Sequence, residues 1–223
     1  MKRRWIIATA LGLSCMAGPA LSIASAATFP DGTGSITVPA GWQIASSYRG
    51  SVDVRSTAGA AVVLGLPYSI IDPNSGLAAL PASTKTAMAR PGDVGTALRQ
   101  VLLNAGGQLT SLRARIAPSS FPGVPAYYVL YQFNAIGKAF TAIGYFTSIV
   151  YPGTDFWQLY SSAIVAPSAI FAKNVSTMSR MWASWRPNGQ PPTAGSEGDQ
   201  IDKLVKASNA RMDRIQTEFR ETL

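Results

Sequence analysis

Between residues 51 and 55, Val52 and Val54 alternate with Asp53 and Arg55, the period of two that a half-buried strand requires. A shorter strand is expected before it at 34–39, ending in the turn Pro39-Ala40-Gly41-Trp42, where Trp42 re-enters the apolar layer. After the turn Thr57-Ala58-Gly59, residues 60–66 are continuously apolar and rich in Val and Leu, which predicts a central strand covered on both faces. These strands make a meander. From 67 to 92, Pro, Ser, Ala and Gly dominate without a sustained period, so a long surface excursion with room for a short helix is expected there.

The period then becomes helical. Asp93 stands as N-cap to a helix over 94–105, with Val94, Ala97, Leu98, Val101, Leu102 and Ala105 on one face and Gly106-Gly107 ending it. Residues 109–116 follow, then a Pro- and Gly-rich break at 118–125. Three runs rich in aromatic and β-branched residues, at 126–133, 139–150 and 156–165, predict consecutive antiparallel strands. Gly137-Lys138 supplies the first turn between them and Pro152-Gly153-Thr154-Asp155 the second, which makes Asp155 a turn residue first. Ser168 occupies an N-cap position before a helical stripe of Ile170, Phe171, Val175, Met178, Trp182 and Trp185, stopped at Arg186-Pro187.

Residues 188–198 form a polar linker, and the tail at 199–223 differs in kind. Its residues Ile201, Val205, Ser208, Met212, Ile215, Phe219 and Thr222 alternate spacings of four and three, a short heptad seam. A lone helix of that length and thin apolar content is marginal in water, so the tail is expected to lie back on the domain, pair with another copy or bind a partner. Ile201, Val205, Met212, Ile215 and Phe219 are the candidate partner-binding residues.

The first 26 residues have the build of a signal peptide: Lys2, Arg3 and Arg4, an apolar run from Trp5 to Leu13, then small residues ending in Ala24-Ser25-Ala26. The apolar run is too short to span a bilayer. Cleavage after Ala26 leaves a domain at 27–187, the linker and the tail, and predicts a periplasmic or secreted protein. Cys15 raises the alternative of a lipoprotein, against which Gly12 stands where such sites carry Leu, Val or Ile. Cleavage removes the one cysteine, so the mature chain has no disulfide or thiolate to contribute. It also lowers the net charge from +8 to +5. The basic residues at 27–187 are scattered singly rather than gathered, which argues against a nucleic-acid partner and leaves room for weak contact with an anionic membrane surface.

The chain has no histidine, the usual general base and commonest imidazole metal ligand. No Ser-x-x-Lys or Gly-x-Ser-x-Gly motif offers a substitute nucleophile. The domain's acids, Asp31, Asp53, Asp72, Asp93 and Asp155, are isolated, which disfavours paired-carboxylate chemistry and calcium. Gly32-Thr33-Gly34 is too brief for a phosphate loop, so no cofactor is expected. Aromatic residues do concentrate between 127 and 160, and alternate members on a strand must face opposite sides. One phase can line an exposed concave face for an apolar or sugar-like ligand, and Tyr128, Tyr131, Tyr145, Trp157 and Tyr160 are the candidate ligand-binding residues. The competing expectation is that helices cover both faces.

The Pro-x-Gly-Trp turn at Pro39 to Trp42, the Gly-Val-Pro-Ala break from Gly123 to Ala126, two further long strands and a closing amphipathic helix resemble the PsbP-like family over about 29–187. The resemblance implies an α+β fold, an antiparallel sheet flanked by helices as an α/β/α sandwich, here followed by a C-terminal helical tail. It also implies non-catalytic roles in assembling membrane complexes or binding other proteins. The excursion at 67–92 and the heptad tail depart from that pattern. The expected function is a non-enzymatic exported envelope protein that binds a protein or envelope component. A small-ligand module built on the aromatic sheet and an enzyme of unrecognised type are the alternatives.

Overall fold

The computed structural model describes residues 25–79, 86–119, 121–151 and 153–188. The expected linker beyond 188, the heptad tail and the signal peptide before 25 lie outside the described residues. The described chain is α+β, mostly antiparallel sheet with two α-helices. The strands are β1 (Ser25–Thr28), β2 (Gly34–Val38), β3 (Trp42–Tyr48), β4 (Ser51–Ser56), β5 (Ala61–Ile71), β6 (Ala87–Met88), β7 (Gly107–Ala117), β8 (Ala126–Ala135), β9 (Lys138–Val150), β10 (Phe156–Pro167) and β11 (Arg186–Pro187). The helices are α1 (Val94–Asn104), between β6 and β7, and α2 (Ser168–Ser184), between β10 and β11. An eight-stranded sheet has the order β3-β4-β5-β10-β9-β8-β7, with β6 added in parallel to the end of β5. Strands β1, β2 and β11 form a separate three-stranded sheet.

The core divides into two clusters. Phe171, Val175, Met178 and Met181 of α2 pack with Val52, Val54, Val62, Leu64, Ile143 and Ile164. Val94, Ala97 and Leu98 of α1 pack with Ile70, Val129, Ala142, Phe146, Trp157 and Leu159. Adjacent strand residues point to opposite faces, so Ile143 serves the α2 cluster while its neighbour Ala142 serves the α1 cluster. Complete burial of a Met or Leu in these clusters contributes about 1.5–3 kcal/mol.

Helix α1 forms as its pattern predicts. The Asp93 carboxylate accepts from the Thr96 amide at 2.9 Å, satisfying an otherwise unpaired donor of the first turn, and Gly106 ends the helix at φ +81°. At α2 the expected cap is different. Pro167 occupies the N-cap position with no side-chain hydrogen bond to the first turn, and Ser168 is already helical. Its hydroxyl lies 2.9 Å from Thr141 Oγ1. Strand β10 runs straight into α2, leaving no loop residue to cap it.

The excursion expected at 67–92 is the main correction. Strand β5 continues through Pro67 to Ile71, and β6 brings Ala87 and the following Ala89 into the core. Pro67 cannot donate to a ladder, but β4 pairs with β5 only from Ala61 to Leu64, so Pro67 has a single strand neighbour, β10. Only a 3-10 turn at Gly76–Ala79 answers to the short helix expected there. Strand β3 is a second addition. A register shift between Ile44 and Ser46 breaks its alternation, which hides it in the sequence. The β8–β9 turn is Ile136-Gly137, one residue earlier than expected, with Lys138 already in β9.

Candidate binding surface

Strands β7 and β9 end, and β8 and β10 begin, at one end of the large sheet, where β5 also ends. Large apolar side chains stay exposed there: Ile116 at 82%, Val150 at 52%, Phe121 at 44%, and Tyr151, Leu77 and Phe156 near 37%. The break at 118–125 carries Phe121 and is tied to the sheet by Tyr145 Oη, which donates to the Pro118 carbonyl at 3.1 Å. The Asp72 amide donates to the Asp155 carbonyl at 3.1 Å and brings the segment bearing Leu77 to the same end. The rings of Tyr151 and Phe156 sit 6.5 Å apart, and Thr154 Oγ1 clasps the turn through the Tyr151 and Phe156 carbonyls.

The five aromatic candidates separate into two groups. Tyr128 and Tyr145 face each other across β8 and β9 with ring centroids 5.5 Å apart, in phase with Ile143 and thus on the α2 face. Tyr160 lies opposite Thr147 on that face, half-buried, and desolvation together with its hydrogen bond to Tyr151 raises the pKa of its hydroxyl. Tyr131 and Trp157 belong to the α1 core instead. Trp157 is fully buried, with Nε1 donating to the Ala89 carbonyl at 2.9 Å, and burial raises the Tyr131 hydroxyl pKa far above its usual value. Strand alternation makes this unavoidable for Tyr128 and Tyr131, an odd number of residues apart. Tyr131 and Trp157 therefore line no surface, and the single five-residue cleft expected from the sequence does not form. The surface adds Phe121, Tyr151 and Phe156, whose exposure no periodicity indicates.

Four of the five carboxylates of the domain, all but Asp155, are engaged in local structure. Asp31 accepts from the Thr33 amide and hydroxyl and the Ser47 hydroxyl through Oδ1, and from the Arg49 amide through Oδ2. Desolvation opposes its ionisation, but these hydrogen bonds outweigh it and hold the carboxyl below its usual range. Asp53 pairs with Arg55 at 2.7 Å, and hydrogen bonding and the negative charge of Asp53 raise the guanidinium pKa. Asp72 accepts from the Asn74 amide at 2.9 Å in a local turn, and Asp93 caps α1. Among the described residues no three His, Cys, Asp or Glu side chains converge as a metal site, and no helix is long and apolar enough to cross a membrane. An open groove of about 410 Å³, lined by Val38, Pro39, Trp42 and Ile44 among others, lies by the β2–β3 turn, apart from the tyrosines.

No protein-family model matches the chain, and no curated protein matches it. Among solved structures it is similar to the Ran-binding protein Mog1p of Saccharomyces cerevisiae, at 10% identity over 70% of this chain and 84% of that chain, with a TM-score of 0.32.

Proposed function

We propose that this is a non-catalytic exported envelope protein that binds another protein or an envelope component through the apolar end of its large sheet. The observation that carries the reading is that Ile116, Phe121, Val150, Tyr151 and Phe156 are all exposed at the end of the sheet where five strands begin or end, with the Tyr151 and Phe156 rings 6.5 Å apart. The carboxylates support it, since Asp31, Asp53, Asp72 and Asp93 are each committed to a turn, an ion pair or a cap rather than aimed into a cleft. The PsbP-like α/β/α sandwich remains the proposed architecture, with α1 and α2 covering opposite faces. Its support is the division of alternate strand residues between the two helix clusters and the Pro39-Ala40-Gly41-Trp42 turn, in which Gly41 takes φ +81°. Export rests on the signal-peptide pattern, and the heptad residues from Ile201 to Phe219 are a proposed second contact with a partner or another copy.

The test is capture from an envelope extract by the immobilised mature chain. Replacing Phe121→Ser and Tyr151→Ser together removes exposed apolar area without touching either core cluster. The pair should reduce capture of a defined partner severalfold while the melting temperature holds. Equal capture by the variant, or turnover of a substrate by the purified chain, overturns the reading.

A further inference from the structure

The groove by the β2–β3 turn continues the α2 core outward. Val38, Trp42 and Ile44 pack against that cluster yet stay only half-buried, and Ser25 and Ala27 of β1 line the groove beside them. Residues two apart on a strand share a face, so Ser25 and Ala27 turn toward the groove and Ala26 turns away. Gln43 pairs with Arg55, and Arg55 with Ala61 at the start of β5, which puts the groove at the end of the large sheet opposite to Phe156. Along the groove's edge Ser25 lies opposite Val38, Ala26 opposite Thr37 and Ala27 opposite Ile36. The Phe29 amide donates to the Gly34 carbonyl, while Thr37 turns its amide the other way, to Ser184 Oγ at 2.9 Å. Antiparallel alternation therefore makes Ile36 and Val38 the residues that bond toward β1. Hydrolysis of the Ala26–Ala27 bond adds one water across it, leaving a carboxylate on the departing Ala26 and an ammonium on Ala27. Ile36 keeps its neighbour, and Val38 loses Ser25. None of the described residues lining the groove is charged, so the Ala27 ammonium becomes the one charged group among them.

We propose that the mature chain binds the free C-terminus of a partner polypeptide at this edge, in the place that Ser25 and Ala26 occupy before the cut. The partner's last residue takes the position of Ala26, with its carboxylate against the Ala27 ammonium. Its second-last residue takes the position of Ser25, bonds to Val38 and points its side chain into the groove. Serine is small, and with it in place the groove over Val38, Trp42 and Ile44 keeps an open volume of about 410 Å³. A leucine at that position covers those apolar side chains, so the favoured C-terminus carries a large apolar residue in second-last place. The leader's own end, Ala24-Ser25-Ala26, fits the same edge with the groove unfilled. A terminal amide keeps the strand bonds and loses the charge-assisted pair with Ala27.

The inference rests on the export reading, which supplies the cut. Its probes are labelled six-residue peptides blocked at the N-terminus: one ending in leucine-alanine with a free carboxylate, the same peptide as its C-terminal amide, and one ending in serine-alanine with a free carboxylate. Against the full chain starting at Ala27, fluorescence anisotropy should rank the first about tenfold tighter than either of the others. A chain starting at Ser25, whose own residues fill the site, should bind the first peptide about tenfold more weakly, and so should the Ala27 chain acetylated at its amino terminus. Hydrogen exchange should find the Val38 amide fast in the Ala27 chain, and slowed both by the first peptide and in the Ser25 chain. Equal binding of the three peptides, no binding, or equal binding by the three chains overturns the proposal. A chain recovered from the envelope with residues still present before Ala27 overturns it too, because the site never opens, and the leader reading falls with it. If the peptides fail while the recovered chain does start at Ala27, the groove inference alone falls and the export reading stands.

Discussion

Backbone sign decides more than side-chain identity at the tip of the β8–β9 hairpin. Both loop residues have positive φ, Ile136 at +52° and Gly137 at +69°, the pairing that a two-residue hairpin turn demands of the right-handed sheet twist. Glycine adopts it freely, but a β-branched residue is strained there, and Ile136 gains nothing in return because it is 95% exposed. Ile136→Asn keeps the turn, relieves crowding worth about 1–2 kcal/mol at a left-handed position, and uses a residue that tolerates this backbone. It should raise stability by about 1 kcal/mol, read as a higher denaturant midpoint at unchanged slope. An unchanged or lower midpoint would mean that the hairpin relaxes the strain by other means. Asp31 works on a similarly local scale, since its carboxylate ties the β2 approach to the β3–β4 turn through the Ser47 hydroxyl and the Arg49 amide.

Among the elements, β5 carries the most unusual geometry. Leu66 pairs with Ser161 and Val63 with Ala163, so Leu64 and Gly65 together oppose Ser162, and the bulge closes with Ser162 Oγ accepting from the Gly65 amide at 3.0 Å. Gly65 sits at φ +68°, and an added Cβ would stand 2.9 Å from the Trp185 ring, whose Nε1 donates to the Gly50 carbonyl. Gly65→Ala therefore combines a left-handed backbone penalty with overpacking at the end of α2, and should cost about 2 kcal/mol or more. A melting temperature within a degree of the parent would contradict the bulge's tightness. The long strands β8, β9 and β10 and helix α1 were legible because their periods are unbroken and their caps or turns conventional. Strands β3 and β5 were not fully legible, because a register shift interrupts one pattern and Pro67 masks the continuation of the other. For the aromatic set, composition revealed the abundance but only the phase of each strand could separate Tyr131 and Trp157 in the core from Tyr128, Tyr145 and Tyr160 on the other face.

Across the whole molecule, the expected cut after Ala26 falls inside β1, where Ser25 and Ala26 pair with Val38 and Thr37. Cleavage leaves Ala27 and Thr28 against Ile36 and Ser35, so half of a short outer strand is lost. What anchors the new terminus is Phe29, only 2% exposed within the α2 cluster, whose amide donates to the Gly34 carbonyl at 2.8 Å. Phe29 also lies against Gly34, where an added Cβ would meet its ring at 2.5 Å, so the start of β2 and the terminus are packed as one unit. A terminus at Ala27 thus removes exposed strand and keeps the core intact. The intact mass of the chain recovered from the envelope should correspond to a start at Ala27, and purified chains starting there and at Ser25 should melt within a few degrees of each other. A chain starting at Pro30 loses the buried ring and should be weaker by about 3–5 kcal/mol, the range for removing a buried phenylalanine. A recovered mass that still includes Met1, or that begins at a lipid-bearing Cys15, would overturn the export route argued from the leader.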